Sequence, residues 1–122
     1  MYVHLLTIFV VRCWSFVGNR MRGRQEISLG SGCLDVGTIL HEIGHVIGLW
    51  HEQSRPDRDD YVRVVERNIA DGYLNQFGKR PLNETTSRRF PYDYRSVMHY
   101  AKTDFSKNGK PTIQVGDIHF DC

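Results

Sequence analysis

The stretch that decides the fold reads His41-Glu42-Ile43-Gly44-His45-Val46-Ile47-Gly48-Leu49-Trp50-His51. His41 and His45 are four residues apart, which on a helix separates them by about 40° and one turn of rise. Both imidazoles can therefore reach one metal ion from the same helix face. Glu42 lies about 100° round from His41, where its carboxylate can reach a water on that metal without entering the coordination shell. The pattern predicts a metal site with a general base beside it.

The apolar residues of this region predict a helix that ends at a glycine. They recur at intervals of three and four, at Ile39, Leu40, Ile43, Val46 and Ile47. This spacing predicts a helix over about Thr38 to Gly48 with one buried face. A continued helix would turn His51 about 240° away from His45, but glycine adopts the left-handed conformation that ends helices at little steric cost. With the chain reversing at Gly48, His51 can become the third ligand of a tetrahedral zinc site completed by water.

The rest of the chain predicts short strands and irregular segments. Met1 to Val11 is mostly apolar and reads either as a secretory leader or as a buried strand. No basic residue precedes the run and no clear small-residue cleavage site follows it, which favours the strand. Glu26 to Leu29 is a second strand candidate between glycine-containing turns, and Tyr61 to Val65 has an extended pattern. Without an internal repeat or a linker, these features predict a single α+β domain over residues 1–122.

Composition excludes several classes of function. Hydrophobic residues make up 40% of the chain, enough for a core. Sixteen Lys and Arg against 14 Asp and Glu leave a formal charge of +2 that is not gathered into a block, so no nucleic-acid partner is predicted. The basic cluster Arg20, Arg22 and Arg24 reads as a solvated loop. No apolar run is long enough to predict a membrane span.

The chain contains three cysteines. An odd number leaves a free thiol or an intermolecular bond in an oxidising compartment. Cys13 and Cys33 bracket a segment rich in glycine and arginine and are the candidate pair, and closing such a loop stabilises a fold by about 3 kcal/mol. Counting alone leaves a reduced, cytosolic chain open. Asn83-Glu84-Thr85 is an N-glycosylation acceptor if the chain is secreted.

Two motifs carry a resemblance to a known family. The run from His41 to Asp59 matches the signature of the astacin family of metzincin peptidases at every fixed position, and Ser96-Val97-Met98-His99-Tyr100 resembles the methionine turn of that family. Cys13-Trp14-Ser15 and the segment ending in Gly32-Cys33 also resemble the family sequence ahead of the zinc helix. The resemblance covers roughly Cys13 to Val115. It implies a metzincin-like fold, with the zinc helix under a short β-sheet and an irregular C-terminal part that contains the methionine turn.

The resemblance also implies an activity and the residues that perform it. The implied activity is that of a secreted zinc metalloendopeptidase, which hydrolyses internal bonds of a protein or peptide substrate. One Zn²⁺ per chain is bound by His41, His45 and His51. Glu42 is the general base, and Tyr100 resembles a tyrosine that binds zinc in the resting enzyme and swings toward the oxyanion during turnover. By composition alone, Tyr100 would read as a core or surface aromatic.

Further positions of the signature imply structural roles. Met98 is expected to lie beneath the metal as an apolar floor with no chemistry of its own. In the family, the glutamate that matches Glu52 is buried and meets the ammonium of the mature N-terminus. The charged residues that follow are expected to form structural ion pairs near the site: Arg55, Asp57, Arg58 and Asp59.

Astacin catalytic domains are longer than this chain, so we expect a partial domain truncated at both ends. Upstream, most of the family's N-terminal sheet does not fit into Met1 to Arg12, including the strand that pairs with an extended substrate. Downstream, Gly116 to Cys122 does not resemble the closing segment, although Cys122 could replace its cysteine. Two functional hypotheses follow, a working endopeptidase and a zinc-binding, catalytically impaired fragment of one. A third, a disulfide-stapled module without metal, requires the three histidines to be coincidental.

Overall fold

The computed structural model describes residues 6–9, 12–20, 23–85 and 90–116. The chain divides into two compact units, Met1–Trp50 and His51–Cys122. Each unit has a buried apolar cluster of its own. The combination of an α-helix with small sheets confirms the predicted α+β class.

The first unit contains a three-stranded sheet. Its strands are β1 (Leu6–Phe9), β2 (Cys13–Ser15) and β3 (Gln25–Leu29). The order is β1-β3-β2, with β3 parallel to β1 and antiparallel to β2. The strand predicted at Glu26 to Leu29 is confirmed and is one residue longer. The strand predicted within Met1 to Val11 is present at β1, and the other residues of that stretch lie outside the described residues.

The predicted helix is α1, which spans Val36–Val46. It begins two residues before the predicted start because Asp35 caps it: its carboxylate accepts hydrogen bonds from the Thr38 backbone N–H (2.9 Å) and from the Thr38 hydroxyl (2.6 Å). Its last residue is Val46, two residues before the predicted end at Gly48, and the chain reverses at that glycine. Gly48 has φ +105°, a conformation that residues with a Cβ rarely adopt, and the N–H of Leu49 turns back to the Gly44 carbonyl at 2.9 Å.

The core of the first unit joins this helix to the sheet. Ile27, Leu29 and Cys33 are buried together, and Ile39 and Val46 of α1 pack against them. The predicted disulfide between Cys13 and Cys33 is present, with Cα atoms 5.6 Å apart. It ties β2 to the segment that leads into α1.

The second unit is mostly irregular, with a short antiparallel sheet. β4 (Val62–Val64) pairs antiparallel with β5 (Ile113–Val115), which confirms the extended segment predicted at Tyr61 to Val65. The described part of this unit also has short 3₁₀ helices at Glu52–Ser54, Arg58–Asp60, Glu66–Asn68, Leu74–Phe77 and Leu82–Glu84. The buried cluster comprises Val62, Ile69, Phe77, Tyr92 and Ile113.

The predicted ion pairs of the signature are present in this unit. Arg55 is buried and contacts Asp57 and Glu52 at 2.8 and 2.9 Å. Its guanidinium also donates to the backbone carbonyls of Phe90 and Pro91. Arg58 pairs with Asp59 at 3.0 Å. Within the described segments, no helix is both long and apolar enough to cross a membrane.

Candidate metal centre

The structure brings the three predicted ligands together. One ring nitrogen from each of His41, His45 and His51 can be chosen such that all three lie within 4.8 Å of one another. His41 and His45 project from α1 with ring centroids 4.7 Å apart, edge to face. His51 follows the turn at Gly48 and lies outside α1, as the spacing predicts. The three imidazoles are able to bind one metal ion.

The orientation of His45 is fixed by a contact that the sequence did not reveal. Its Nδ1 lies 2.8 Å from the Leu49 carbonyl oxygen. A carbonyl only accepts, so Nδ1 carries the proton and Nε2 has the lone pair that a metal requires. Burial lowers the pKa of His45, the Leu49 hydrogen bond partly offsets this, and the charge of His41 lowers the pKa further. The lowered pKa favours the neutral form of the ring, which is the form that binds metals.

The turn at Gly48 sits against an upstream loop of the same unit. The Gly18 N–H donates to the His45 carbonyl at 2.8 Å, and a Cβ built on Gly48 would lie 3.8 Å from the Gly18 Cα. This loop thus adds a second donor to a carbonyl at the end of α1, which also accepts from the Gly48 N–H at 2.9 Å. It supports the turn that carries Leu49 and His51.

Glu42 is buried on α1 next to His41, the first predicted ligand. Its Oε2 has no hydrogen-bond partner among the described residues, which is costly for a buried carboxylate unless a bound group completes its surroundings. Burial raises the pKa of Glu42, and the neighbouring His41 partly opposes that rise. A desolvated carboxylate of raised pKa is a better proton acceptor than a solvated one. Three imidazoles with an adjacent free carboxylate are a donor set that fits catalytic zinc.

Tyr100 lies against His51, the third predicted ligand. Its ring centroid is 4.6 Å from that of His51. Burial raises the pKa of Tyr100 to about 12, with the charge of Asp104 adding to the rise. The phenol therefore stays protonated at neutral pH and its O–H can donate. Met98 is buried, and its role as a floor beneath the metal stays a prediction.

Glu52 is held inside the second unit. Its Oε1 accepts hydrogen bonds from the Arg55 guanidinium and from the Asp93 backbone N–H, each at 2.9 Å. Its backbone N–H donates to the Met98 carbonyl at 3.0 Å. Glu52 therefore connects the turn after His51 to the segment that ends in Tyr100.

Comparison with known proteins identifies the family of this chain. The profile of the Astacin peptidase family matches residues 3–121. Blastula protease 10 of Paracentrotus lividus is 53% identical over 105 residues, which are 86% of this chain and 18% of that protein. Human meprin A subunit beta is 50% identical over 101 residues, covering 83% of this chain and 14% of that protein. The chain thus spans less than a fifth of the length of these two relatives.

A solved structure is also similar. The structure of high choriolytic enzyme 1, a hatching enzyme zinc-protease of the medaka fish Oryzias latipes, has a TM-score of 0.84 and 36% sequence identity. The similarity covers 94% of this chain and 56% of that chain. With the family profile matched over nearly its whole length, the chain belongs to the astacin family of peptidases.

Proposed function

We propose that this chain is a single, partial astacin peptidase domain that hydrolyses internal peptide bonds of protein or peptide substrates with one bound zinc. The observation that carries the proposal is the convergence of His41, His45 and His51 beside the buried carboxylate of Glu42. Three histidines suffice to hold zinc and leave one coordination position open. Glu42 is then available for proton transfer.

The proposed mechanism assigns each group one task. Zinc, when bound, supplies a Lewis acid that lowers the pKa of a bound water and polarises a peptide carbonyl. Glu42 accepts the proton of the attacking water and passes it to the leaving amine. Tyr100 donates its O–H to the carbonyl oxygen as negative charge develops there. Met98 provides an apolar floor and takes no part in proton transfer.

We also propose a secreted location. The disulfide between Cys13 and Cys33 persists in an oxidising compartment and is rare in the cytosol. In that setting the Asn83-Glu84-Thr85 acceptor becomes accessible to the glycosylation machinery, and the Asn83 residue is exposed.

The test separates the metal's task from that of the carboxylate. Glu42→Gln keeps the shape of the side chain and removes the base. We expect the zinc content to be unchanged and kcat on a peptide library to fall by roughly 10² to 10⁴. Glu66→Gln, at an exposed glutamate, is the matched control and should leave both quantities unchanged. Equal activity in wild type and Glu42→Gln contradicts the proposed base. Zinc binding without activity in either protein selects the impaired fragment instead.

A further inference from the structure

The peptide of Tyr100 is held on its amide side by Gln53. The Tyr100 N–H donates to the Gln53 Oε1 at 3.0 Å. Gln53 is fully buried, with 0% of its surface exposed, so its side chain is confined by packing. This hydrogen bond joins residues 47 positions apart in the chain and fixes where the Tyr100 backbone lies within the second unit.

The carbonyl side of the same residue is held by a second pair. The Tyr100 carbonyl lies 2.7 Å from His99 Nδ1, and His99 Nε2 lies 2.8 Å from the Tyr92 hydroxyl. Since a carbonyl only accepts, Nδ1 donates its proton and Nε2 accepts from the Tyr92 O–H. Tyr92 is itself fixed: its ring stacks on Tyr61 at 4.7 Å, and the Arg55 guanidinium lies 5.2 Å from its centre.

These contacts hold the backbone of Tyr100 in place, so the residue can still move only by rotation about its side-chain bonds. Neither hydrogen bond involves the phenol hydroxyl. The ring is bordered by His51 at 4.6 Å, by Phe105 at 5.4 Å and by Phe77 at 5.7 Å between centroids. Movement of the hydroxyl is therefore a rotation about a pivot that Gln53 and His99 keep in place.

The chemistry of Gln53 argues against a purely packing role. Its Nε2 is buried without a hydrogen-bond partner among the described residues, and such a buried donor costs about 1 to 3 kcal/mol. Methionine has a similar shape and would avoid that cost. An amide at this position contributes one thing that methionine lacks, the acceptor for the Tyr100 N–H.

We infer that Gln53 and the His99–Tyr92 pair are positioning residues that fix the pivot of Tyr100 so that its hydroxyl reaches the substrate oxyanion. This inference rests on the proposed function of Tyr100. Gln53 directly follows Glu52 and acts on turnover only indirectly, through the backbone of Tyr100. Its burial alone does not indicate this role.

A double-mutant cycle tests the inference in the zinc-loaded chain. Gln53→Met removes the acceptor and should lower kcat about 10-fold or more with little change in KM, since misplacing a reacting group by about 1 Å can cost 10²-fold. In the Tyr100→Phe background the same substitution should cost less than about 2-fold, because the hydroxyl it positions is gone. Gln76→Met, at an exposed glutamine, is the matched control and should leave kcat unchanged. Equal losses in both backgrounds contradict the inference.

A second measurement is independent of metal and of activity. In the metal-free chain, Gln53→Met should shift the NMR resonances of the His51 ring, because the Tyr100 ring beside it moves, and should speed hydrogen exchange at the Tyr100 N–H. Tyr92→Phe should shift the His51 resonances too, through His99, and it serves as the second variant should Gln53→Met fail to fold. Unchanged His51 resonances in a folded variant would overturn the positioning role. An inactive wild type would refute the proposed function and leave this spectroscopic result to decide the positioning.

Discussion

Tyr100 combines a fixed backbone with a protonated hydroxyl, and its ring contacts a proposed zinc ligand. Replacing it with phenylalanine removes the hydroxyl and keeps the ring packing against His51. We expect kcat to fall by about 10² to 10³, as for one oxyanion donor among several, with KM little changed. Steady-state kinetics provide the measurement. Tyr73→Phe, at an exposed tyrosine, should behave like wild type, and a Tyr100→Phe enzyme of undiminished kcat would remove Tyr100 from the mechanism.

Arg55 is the residue whose loss should cost most stability. Its side chain is 5% exposed and neutralises Glu52 and Asp57, which are 17% and 12% exposed. Arg55→Met removes the buried cation that pairs with both carboxylates, so we expect the free energy of unfolding to drop by about 3 to 5 kcal/mol. Urea denaturation followed by circular dichroism measures the change. Arg63→Met, at an exposed arginine, should change it by less than about 1 kcal/mol, and a similar loss in both variants would count against the buried network.

The predictability of the site differs among its residues. His41, His45, His51 and Glu42 are recognisable because helical geometry converts their spacing into directions. The contact that orients His45 is a backbone carbonyl, and every residue has one, so no residue type marks Leu49. The role of Gln53 could not be predicted from the sequence either. Its partner is the Tyr100 backbone N–H, which is 47 positions away and comes close only in the folded chain.

At the level of elements, α1 depends on the cap at its first turn. The hydrogen bonds from Thr38 lower the pKa of Asp35. A carboxyl whose pKa is lowered on folding stabilises the fold above its unfolded value, 3.8, and that contribution is lost as the pH falls through the lower folded value. Asp35→Ala should therefore lower the melting temperature at pH 7.

Asp35→Asn can still cap the helix but does not titrate. The difference in melting temperature between wild type and Asp35→Asn should therefore shrink below about pH 4. An advantage that is constant with pH would refute the assigned role.

The turn that ends α1 offers a second test. Gly48 has φ +105°, so Gly48→Ala should destabilise the chain by about 1 to 2 kcal/mol and weaken zinc binding, because the turn carries both Leu49 and His51. Gly72→Ala is the matched control: φ is +85° and no atom lies within 4 Å of the added Cβ. It should cost similar stability and leave zinc affinity unchanged. Isothermal titration with zinc distinguishes the two variants. Equal zinc affinities of Gly48→Ala and Gly72→Ala would contradict the role of Gly48.

The elements were predictable where local chemistry decides them. The reversal at Gly48 was predictable because backbone freedom is a property of glycine itself, although α1 ends two residues earlier, at Val46. The predicted start was two residues too late because the first apolar residue of the periodic pattern is Ile39. The helix itself starts directly after its N-cap, Asp35. The irregular second unit was the least predictable part, since its 3₁₀ turns have no periodicity and depend on contacts such as that of the Tyr92 hydroxyl with His99.

For the whole molecule, the disulfide is a main determinant of stability in the first unit. Its small core joins Ile27, Leu29 and Cys33 to α1, and the bridge closes a loop with a sequence separation of 20. Reduction should lower the free energy of unfolding by about 3 kcal/mol, measured by denaturation with and without reductant. Cys122→Ser removes the third cysteine without touching the bridge and should leave the oxidised protein as stable as wild type. An unchanged stability after complete reduction would refute this account.

The central claim is that one zinc ion is held by three imidazoles, and X-ray absorption spectroscopy of the zinc-loaded chain tests it most directly. The account predicts one zinc per chain with three histidine nitrogens, no sulfur ligand and oxygen as every other ligand, at distances of about 2.0 to 2.2 Å. In His51→Ala, the same spectrum should lose one imidazole and the zinc should be removed by a weaker chelator. A wild-type spectrum with two imidazoles or with sulfur ligands, or one unchanged in His51→Ala, would contradict the account.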